Sequence, residues 1–108
     1  MNRSIKTKWL SALRGGEYLQ GQGSLKKRGI DRKVRYCCLG VLASCQGKRP
    51  RSKIEGGLLQ NLPTENFLKS CGLSTKIAKK LAWMNDASGK YLRVRTFKQI
   101  ANWIEGHL

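Results

Sequence analysis

The most constraining stretch of the chain is residues 37–45, CCLGVLASC, its most continuous apolar run. Nine residues without a charge must be buried, and whatever precedes them is pinned to the core. What precedes them is the opposite in character: residues 24–36, SLKKRGIDRKVRY, form a basic arm with a glycine and an aspartate in its middle. One segment thus joins the most charged part of the chain to the part that has to be inside. Periodicity alone does not type the apolar run. Leucine, alanine and cysteine permit a helix, while Val41 and Gly40 favour it less; a helix buried on most of its surface is the expectation, with Gly40 admitting a close neighbour.

The arm itself reads as a hairpin. Residues 25–28 and 33–36 flank Gly29-Ile30-Asp31-Arg32, and a Gly/Asp-containing loop of four or five residues suits two short antiparallel strands. Val34 and Tyr36 alternate with Lys33 and Arg35, as in a half-buried strand, and Leu25 faces the same core. A two-stranded ribbon is marginal alone, so it must pack on helices or gain a third strand, for which residues 58–62 are the candidate.

Elsewhere helical spacing dominates. Ile5, Trp9, Ala12 and Leu13 share one face of a first helix, with Ser4 as its expected cap and Gly15-Gly16 as its stop. Pro63 suits the first turn of a short helix over residues 63–71 that Gly72 ends. Ser74 caps a further helix carrying Ile77, Ala78, Leu81, Ala82 and Met84 on one face. Thr96 and Gln99 match a capping box, ahead of an apolar stripe of Phe97, Ile100, Ala101, Ile104 and Leu108. Residues 91–95 alternate, as in a strand or an extended connection. Residues 17–23 read as a glycine-spaced loop; Gly21 and Gly23 lack the third glycine and the strand–loop–helix setting of a dinucleotide fingerprint, so a flexible turn is expected there. Residues 46–57 read as an exposed basic loop, broken by Gly47, Pro50 and Gly56-Gly57. The expected fold is α+β: a small antiparallel sheet or β-hairpin packed against four to five short helices, in a single compact domain spanning 1–108.

Charge decides the function classes. Twenty-two Lys/Arg stand against six Asp/Glu, a formal net charge of +16. Such self-repulsion costs stability, and a polyanion relieves it; nucleic acid is the leading partner because neutralising phosphates releases counterions. Ten cations lie between positions 26 and 53, namely Lys26, Lys27, Arg28, Arg32, Lys33, Arg35, Lys48, Arg49, Arg51 and Lys53, with Asp31 the only acid among them. Side by side, the ribbon and the 46–57 loop would make one positive surface on which arginine grips phosphate bidentately. A second patch combines Lys90, Arg93, Arg95 and Lys98 with Tyr91, whose ring could stack on a base.

Enzyme chemistry is poorly supplied. The single histidine, His107, and six scattered acids offer no acid–base constellation. The cysteines at 37, 38, 45 and 71 include no CxxC and no histidine at zinc spacing, so no metal or cofactor is expected, and buried reduced thiols are the reading. A helix-turn-helix is disfavoured too, because about nine residues separate the last two helices where that motif uses 3–4. No stretch approaches the roughly 20 apolar residues of a membrane span, and the first residues lack the apolar core of a signal peptide, which points to the cytoplasm.

Several pieces are familiar in combination: Trp9 with Ala12-Leu13-Arg14, Gly16-Glu17-Tyr18, Gln20-Gly21, Gly23-Ser24-Leu25, the YCCLGVL run at 36–42, Met84-Asn85-Asp86, and Phe97 with Ile100-Ala101 and Trp103-Ile104-Glu105. Together they resemble a group of small uncharacterised phage-encoded proteins, over about three quarters of the chain. The resemblance does not extend to the basic 46–57 segment. It implies a viral accessory protein acting in a host cytoplasm, without an active site or cofactor. Joined to the charge, it gives the expected function: a non-catalytic counter-defence binder of nucleic acid or of a nucleic-acid-loaded host complex, of which an anti-CRISPR-like inhibitor is one form. Two alternatives are a sponge for a small cyclic nucleotide messenger and an inhibitor that binds an acidic host protein directly.

Overall fold

In the computed structural model, residues 1–49, 54–55, 58–59, 62–89 and 91–108 are described. The fold begins with α1 (Arg3–Arg14), followed by strands β1 (Leu19–Gln20), β2 (Lys26–Arg28) and β3 (Val34–Tyr36) and by α2 (Cys38–Cys45). A two-stranded unit, β4 (Ile54–Glu55) and β5 (Leu58–Leu59), precedes α3 (Glu65–Cys71), α4 (Thr75–Asp86) and α5 (Phe97–His107). The fold is α+β, as the sequence predicts, with a small sheet set against helices.

The apolar run forms α2, and Cys38 through Ala43 are all buried. A helix that is apolar all round has to be surrounded, and this one is: α1 packs on one side and α4 on another, while α5 packs on α1 and α4. Trp9 is fully buried and donates its indole N–H to the Cys38 carbonyl at 2.8 Å, satisfying the one polar atom of the largest core side chain. A Cβ on Gly40 would collide with the carbonyl of Leu25, so the base of the hairpin rests directly on the α2 backbone. That same Leu25 carbonyl accepts from the Cys37 N–H at 3.2 Å.

The sheet has the order β1-β3-β2 and is mixed, not purely antiparallel. β2 pairs antiparallel with β3, placing Lys27 opposite Arg35 and Lys26 opposite Tyr36. β1 pairs parallel with β3. The third strand therefore comes from the glycine-spaced segment before the hairpin, whereas Leu58 and Leu59 pair with Glu55 and Ile54 in a separate two-stranded unit. Nothing local to residues 58–62 shows which segment they pair with.

Caps account for the other departures. Asn2, rather than Ser4, caps α1: its Oδ1 accepts from the Ile5 N–H at 3.0 Å, which leaves Ser4 inside the first turn. Pro63 lies outside α3, whose cap is Thr64, accepting from the Phe67 N–H. Gly72 (φ +71°) ends that helix, and Ser74 caps α4 as expected. The capping box of Thr96 and Gln99 is complete in both directions. Residues 91–95 form no strand, and within the presumed 46–57 loop Ile54 and Glu55 are strand residues.

Among the described residues one polar side chain is fully buried, Asn85 near the end of α4. Its Oδ1 accepts from the Cys38 N–H (3.2 Å) and the Gln20 amide (3.0 Å). Its Nδ2 donates to the Gly21 carbonyl and to the Asp86 carboxylate, both at 2.8 Å. Because a backbone N–H can only donate and a carbonyl can only accept, the amide's orientation is unambiguous. Gln20 continues the network, donating to the Arg95 carbonyl at 2.7 Å and accepting from the Phe97 N–H at 3.1 Å. Two amides thus join α2, α4, α5 and the loop after β1. Asn85→Ala strands the Cys38 N–H at the buried start of α2 and should destabilise the protein by about 3 kcal/mol in chemical denaturation. Asn85→Asp, of the same shape, sets an anion against the Gly21 carbonyl and Asp86. The introduced carboxyl has a raised folded-state pKa, so its deficit should be smallest in acid and grow as pH rises.

Candidate nucleic-acid interface

The β2–β3 hairpin is built to stand away from the core. β2 is the outer strand, and Lys26, Lys27 and Arg28 are all exposed. Lysines on an open edge also deter a foreign strand from pairing there, which explains a basic edge without any ligand. The 29–33 loop asks for more. It is closed by the Gly29 N–H to the Lys33 carbonyl (2.9 Å) and the Arg32 N–H to the Gly29 carbonyl (3.0 Å). Asp31 accepts from the Lys33 N–H at 3.1 Å and grips the Arg35 guanidinium with both oxygens, at 3.0 and 2.8 Å. A Cβ on Gly29 would stand 2.7 Å from Arg35 Nη1, so glycine leaves room for this pair. The Arg35 hydrogen bond, helped by the Lys33 N–H, lowers the Asp31 pKa from 3.8 to about 2.

Asp31 therefore uses Arg35 as an internal counterion, which removes Arg35 from the cations free to meet a ligand. Among the described residues Lys27, Arg28, Arg32 and Lys33 have no ion-pair partner. Lys26 lies over the Tyr36 ring, 5.8 Å from its centre, and Tyr36 meets Tyr18 edge-on at 4.9 Å. Below the ribbon is a small hollow of about 130 Å³ lined by Gly21, Gln22, Ser24, Lys27, Gly29 and Arg35.

The remaining candidates are elsewhere. Lys48 and Arg49 are exposed and follow the C-terminal end of α2, whereas the hairpin enters its N-terminal end. One helix length, about 12 Å, separates the two roots, so the ribbon and the next loop do not start side by side. Lys48 and Arg49 instead line a hollow of about 410 Å³ with Ala43, Pro63, Thr64 and Phe67. Arg51 and Lys53 lie outside the described residues, as does Lys90. Of the second patch, Tyr91 is half-buried against the core and Arg95 is held through its backbone by Met84. Those two line an open hollow of about 350 Å³ with Leu92 and Arg93. Trp103 is half-buried; it stacks on His107 at 4.3 Å and carries Lys80 5.2 Å from its ring centre.

The glycine-spaced loop is more than a flexible turn. The Gly21 N–H donates to the Tyr36 carbonyl at 2.8 Å, and Gly23 (φ +86°) donates to Asp86 at 3.2 Å. A Cβ on Gly21 would meet the Arg35 Cβ at 2.8 Å, so the loop packs flat on β3. Sequence reasoning gave Gln20, Gly21 and Asn85 no structural role. The available signal was an asparagine on the apolar face of α4, one and four positions beyond Met84 and Leu81.

The thiols are reduced. Burial pushes Cys37 up to about 11 and Cys38 well above its ordinary value. Cys38 Sγ also donates to the Leu81 carbonyl at 3.6 Å. These are packing groups rather than nucleophiles.

With this geometry in place, comparison with known proteins adds one finding. Residues 1–61 match a domain of unknown function, DUF8296. The chain belongs to that family. The matched part of DUF8296 contains α1, the three-stranded sheet, the hairpin and α2, so the candidate interface falls within it. No curated protein and no solved structure matches the chain.

Two measurements check these assignments. Carbon-detected NMR should titrate the Asp31 carboxyl near pH 2; the loop contribution is complete above about 4 and is lost as pH falls through about 2, and a midpoint near 4 would mean that the Arg35 clamp is absent. A thiol-reactive dye at neutral pH should modify half-exposed Cys45 first, leaving Cys37, Cys38 and Cys71 unmodified until the protein unfolds.

Proposed function

We propose that this protein is a non-catalytic binder of nucleic acid that works through the β2–β3 hairpin. The observation that carries the reading is a set of cations, Lys27, Arg28, Arg32 and Lys33, that have no ion-pair partner among the described residues and are displayed on the hairpin while Asp31 is taken up by Arg35. Generic solubility needs no such arrangement. Each of these four cations can neutralise a phosphate, and the net charge of +16 favours approach from a distance. Tyr91, Arg93 and Arg95 are a secondary contact, with the Tyr91 ring as a base platform. Among the described residues no helix is long and apolar enough to cross a membrane.

The resemblance to phage-encoded proteins supplies the biological setting of this proposal: a counter-defence accessory engaging nucleic acid, or a host defence complex loaded with it, in the host cytoplasm. A second reading, the nucleotide sponge, draws support from the hollow of about 410 Å³ beside Lys48, Arg49 and Phe67, within the size range of small-molecule sites. Native mass spectrometry of protein isolated from cells separates them, because a retained small nucleotide favours the sponge and a long nucleic acid favours the hairpin reading.

Fluorescence anisotropy with a labelled duplex is the direct test. Neutralising about four phosphates should weaken binding by roughly 100-fold between about 50 and 200 mM salt. The double variant Lys27→Glu/Arg28→Glu should abolish most of that dependence without loss of thermal stability, both side chains being exposed. A flat salt response in the wild type would overturn the proposal.

A further inference from the structure

Two adjacent features of the hairpin tip work against the fold that carries them. Ile30 stands wholly in solvent, at 106% of its reference exposure. Arg32 holds a left-handed backbone (φ +66°), a conformation that glycine adopts freely and a long side chain adopts at a steric cost. A serine at 30 and a glycine at 32 would close the same turn with less strain and no exposed hydrocarbon. Isolated exposed apolar residues are ordinary on protein surfaces, and Leu92, 94% exposed, is another. Ile30 differs in its setting. It sits on a turn locked by the Gly29–Lys33 and Arg32–Gly29 backbone bonds and by the Asp31–Arg35 clamp. On either side of it are Arg28 and Arg32, both exposed and, among the described residues, without an ion-pair partner.

An apolar point flanked by cations on a hydrogen-bonded turn suits stacked base pairs bordered by phosphates. We propose that Ile30 is a wedge that enters between adjacent base pairs of a DNA duplex while Arg28 and Arg32 hold the phosphates beside the opened step, so that the protein bends the DNA. The inference rests on the reading of the hairpin as a nucleic-acid surface and adds the form of the ligand and the distortion imposed on it. The five residue steps from Leu25 to Ile30 reach about 17 Å at strand rise, more than the depth of about 8 Å of either groove. Branched and straight apolar side chains used this way unstack a step and kink the duplex by about 20–90°. Pyrimidine–purine steps, which open most easily, are the favoured sites.

The test uses the full chain and a duplex of about 25 base pairs with a central TA step, end-labelled for energy transfer or carrying 2-aminopurine beside that step. At about 50 mM salt the wild type should bring the ends closer and raise the 2-aminopurine emission at least twofold, roughly. Ile30→Ser should retain the salt slope, because no charge is removed, and lose both signals. Arg32→Gly should lower the salt slope by about one while leaving thermal stability equal or higher. Salt-dependent binding by the wild type with no end-to-end approach, or an Ile30→Ser variant that bends as well as the wild type, would overturn the wedge and leave the basic surface standing. Absence of duplex binding even at low salt would overturn both. Ile30-dependent binding to vesicles of phosphatidylglycerol without duplex binding would assign the tip to a lipid surface and likewise overturn the wedge.

Discussion

The structure depends on a single buried amide. Asn85 is the point at which four segments distant in sequence agree on their positions: the start of α2, the loop after β1, the end of α4 and, through Gln20, the start of α5. Hydrophobic burial would hold these elements together but would not orient them, because apolar contact is indifferent to small rotations. A fully paired amide in a low-dielectric interior is not indifferent, since any rotation that breaks one of its bonds leaves a buried polar group exposed to the full desolvation cost. The small sheet is held to the helices by this network and by the Leu25–Cys37 backbone bond. With strands of only two or three residues, the sheet has little cohesion of its own.

The parts of the fold that were legible in the sequence are those decided locally. The 25–36 hairpin follows from Gly29 and Asp31 between alternating segments. The last helix start follows from Thr96 and Gln99, and the burial of α2 follows from nine residues without charge. What was not legible required knowledge of a distant partner. Nothing in Leu19 and Gln20 themselves shows that they pair with Arg35 and Tyr36, and nothing in Leu58 and Leu59 shows that they pair with Ile54 and Glu55 instead of joining the larger sheet. Gly21 and Gly23 looked like slack because glycine is permissive wherever it occurs. Here the absence of a Cβ at Gly21 is used for close packing on Arg35, and Gly23 adopts a positive φ that points its N–H at Asp86. The candidate surface was legible as composition but not as arrangement. Of the ten cations in that stretch of sequence, Lys48 and Arg49 are separated from the hairpin cations by α2, and Arg35 is committed to Asp31.

Several of the short sequence pieces singled out above also hold the amide network. Gln20-Gly21, Gly23, the 36–42 run, Met84-Asn85-Asp86 and Phe97 all contribute a donor, an acceptor or a packed neighbour to it. That combination is a signature of architecture, and it is silent about what the architecture carries. The cations and the exposed isoleucine lie on the hairpin between those segments, where the scaffold permits change at little cost to itself.

The contact of Gly40 with the Leu25 carbonyl has a mechanical consequence. Because the helix offers no side chain at that point, the first strand of the hairpin is seated on backbone, with no compressible layer between them. The arm is a lever whose fulcrum is the most deeply buried helix of the molecule. A soft partner that meets its tip has to do the yielding, and little of the encounter's free energy is spent on stiffening the protein. Introducing even a methyl group at Gly40 would lift that fulcrum, changing the angle at which the tip is presented while leaving every residue of the tip unchanged.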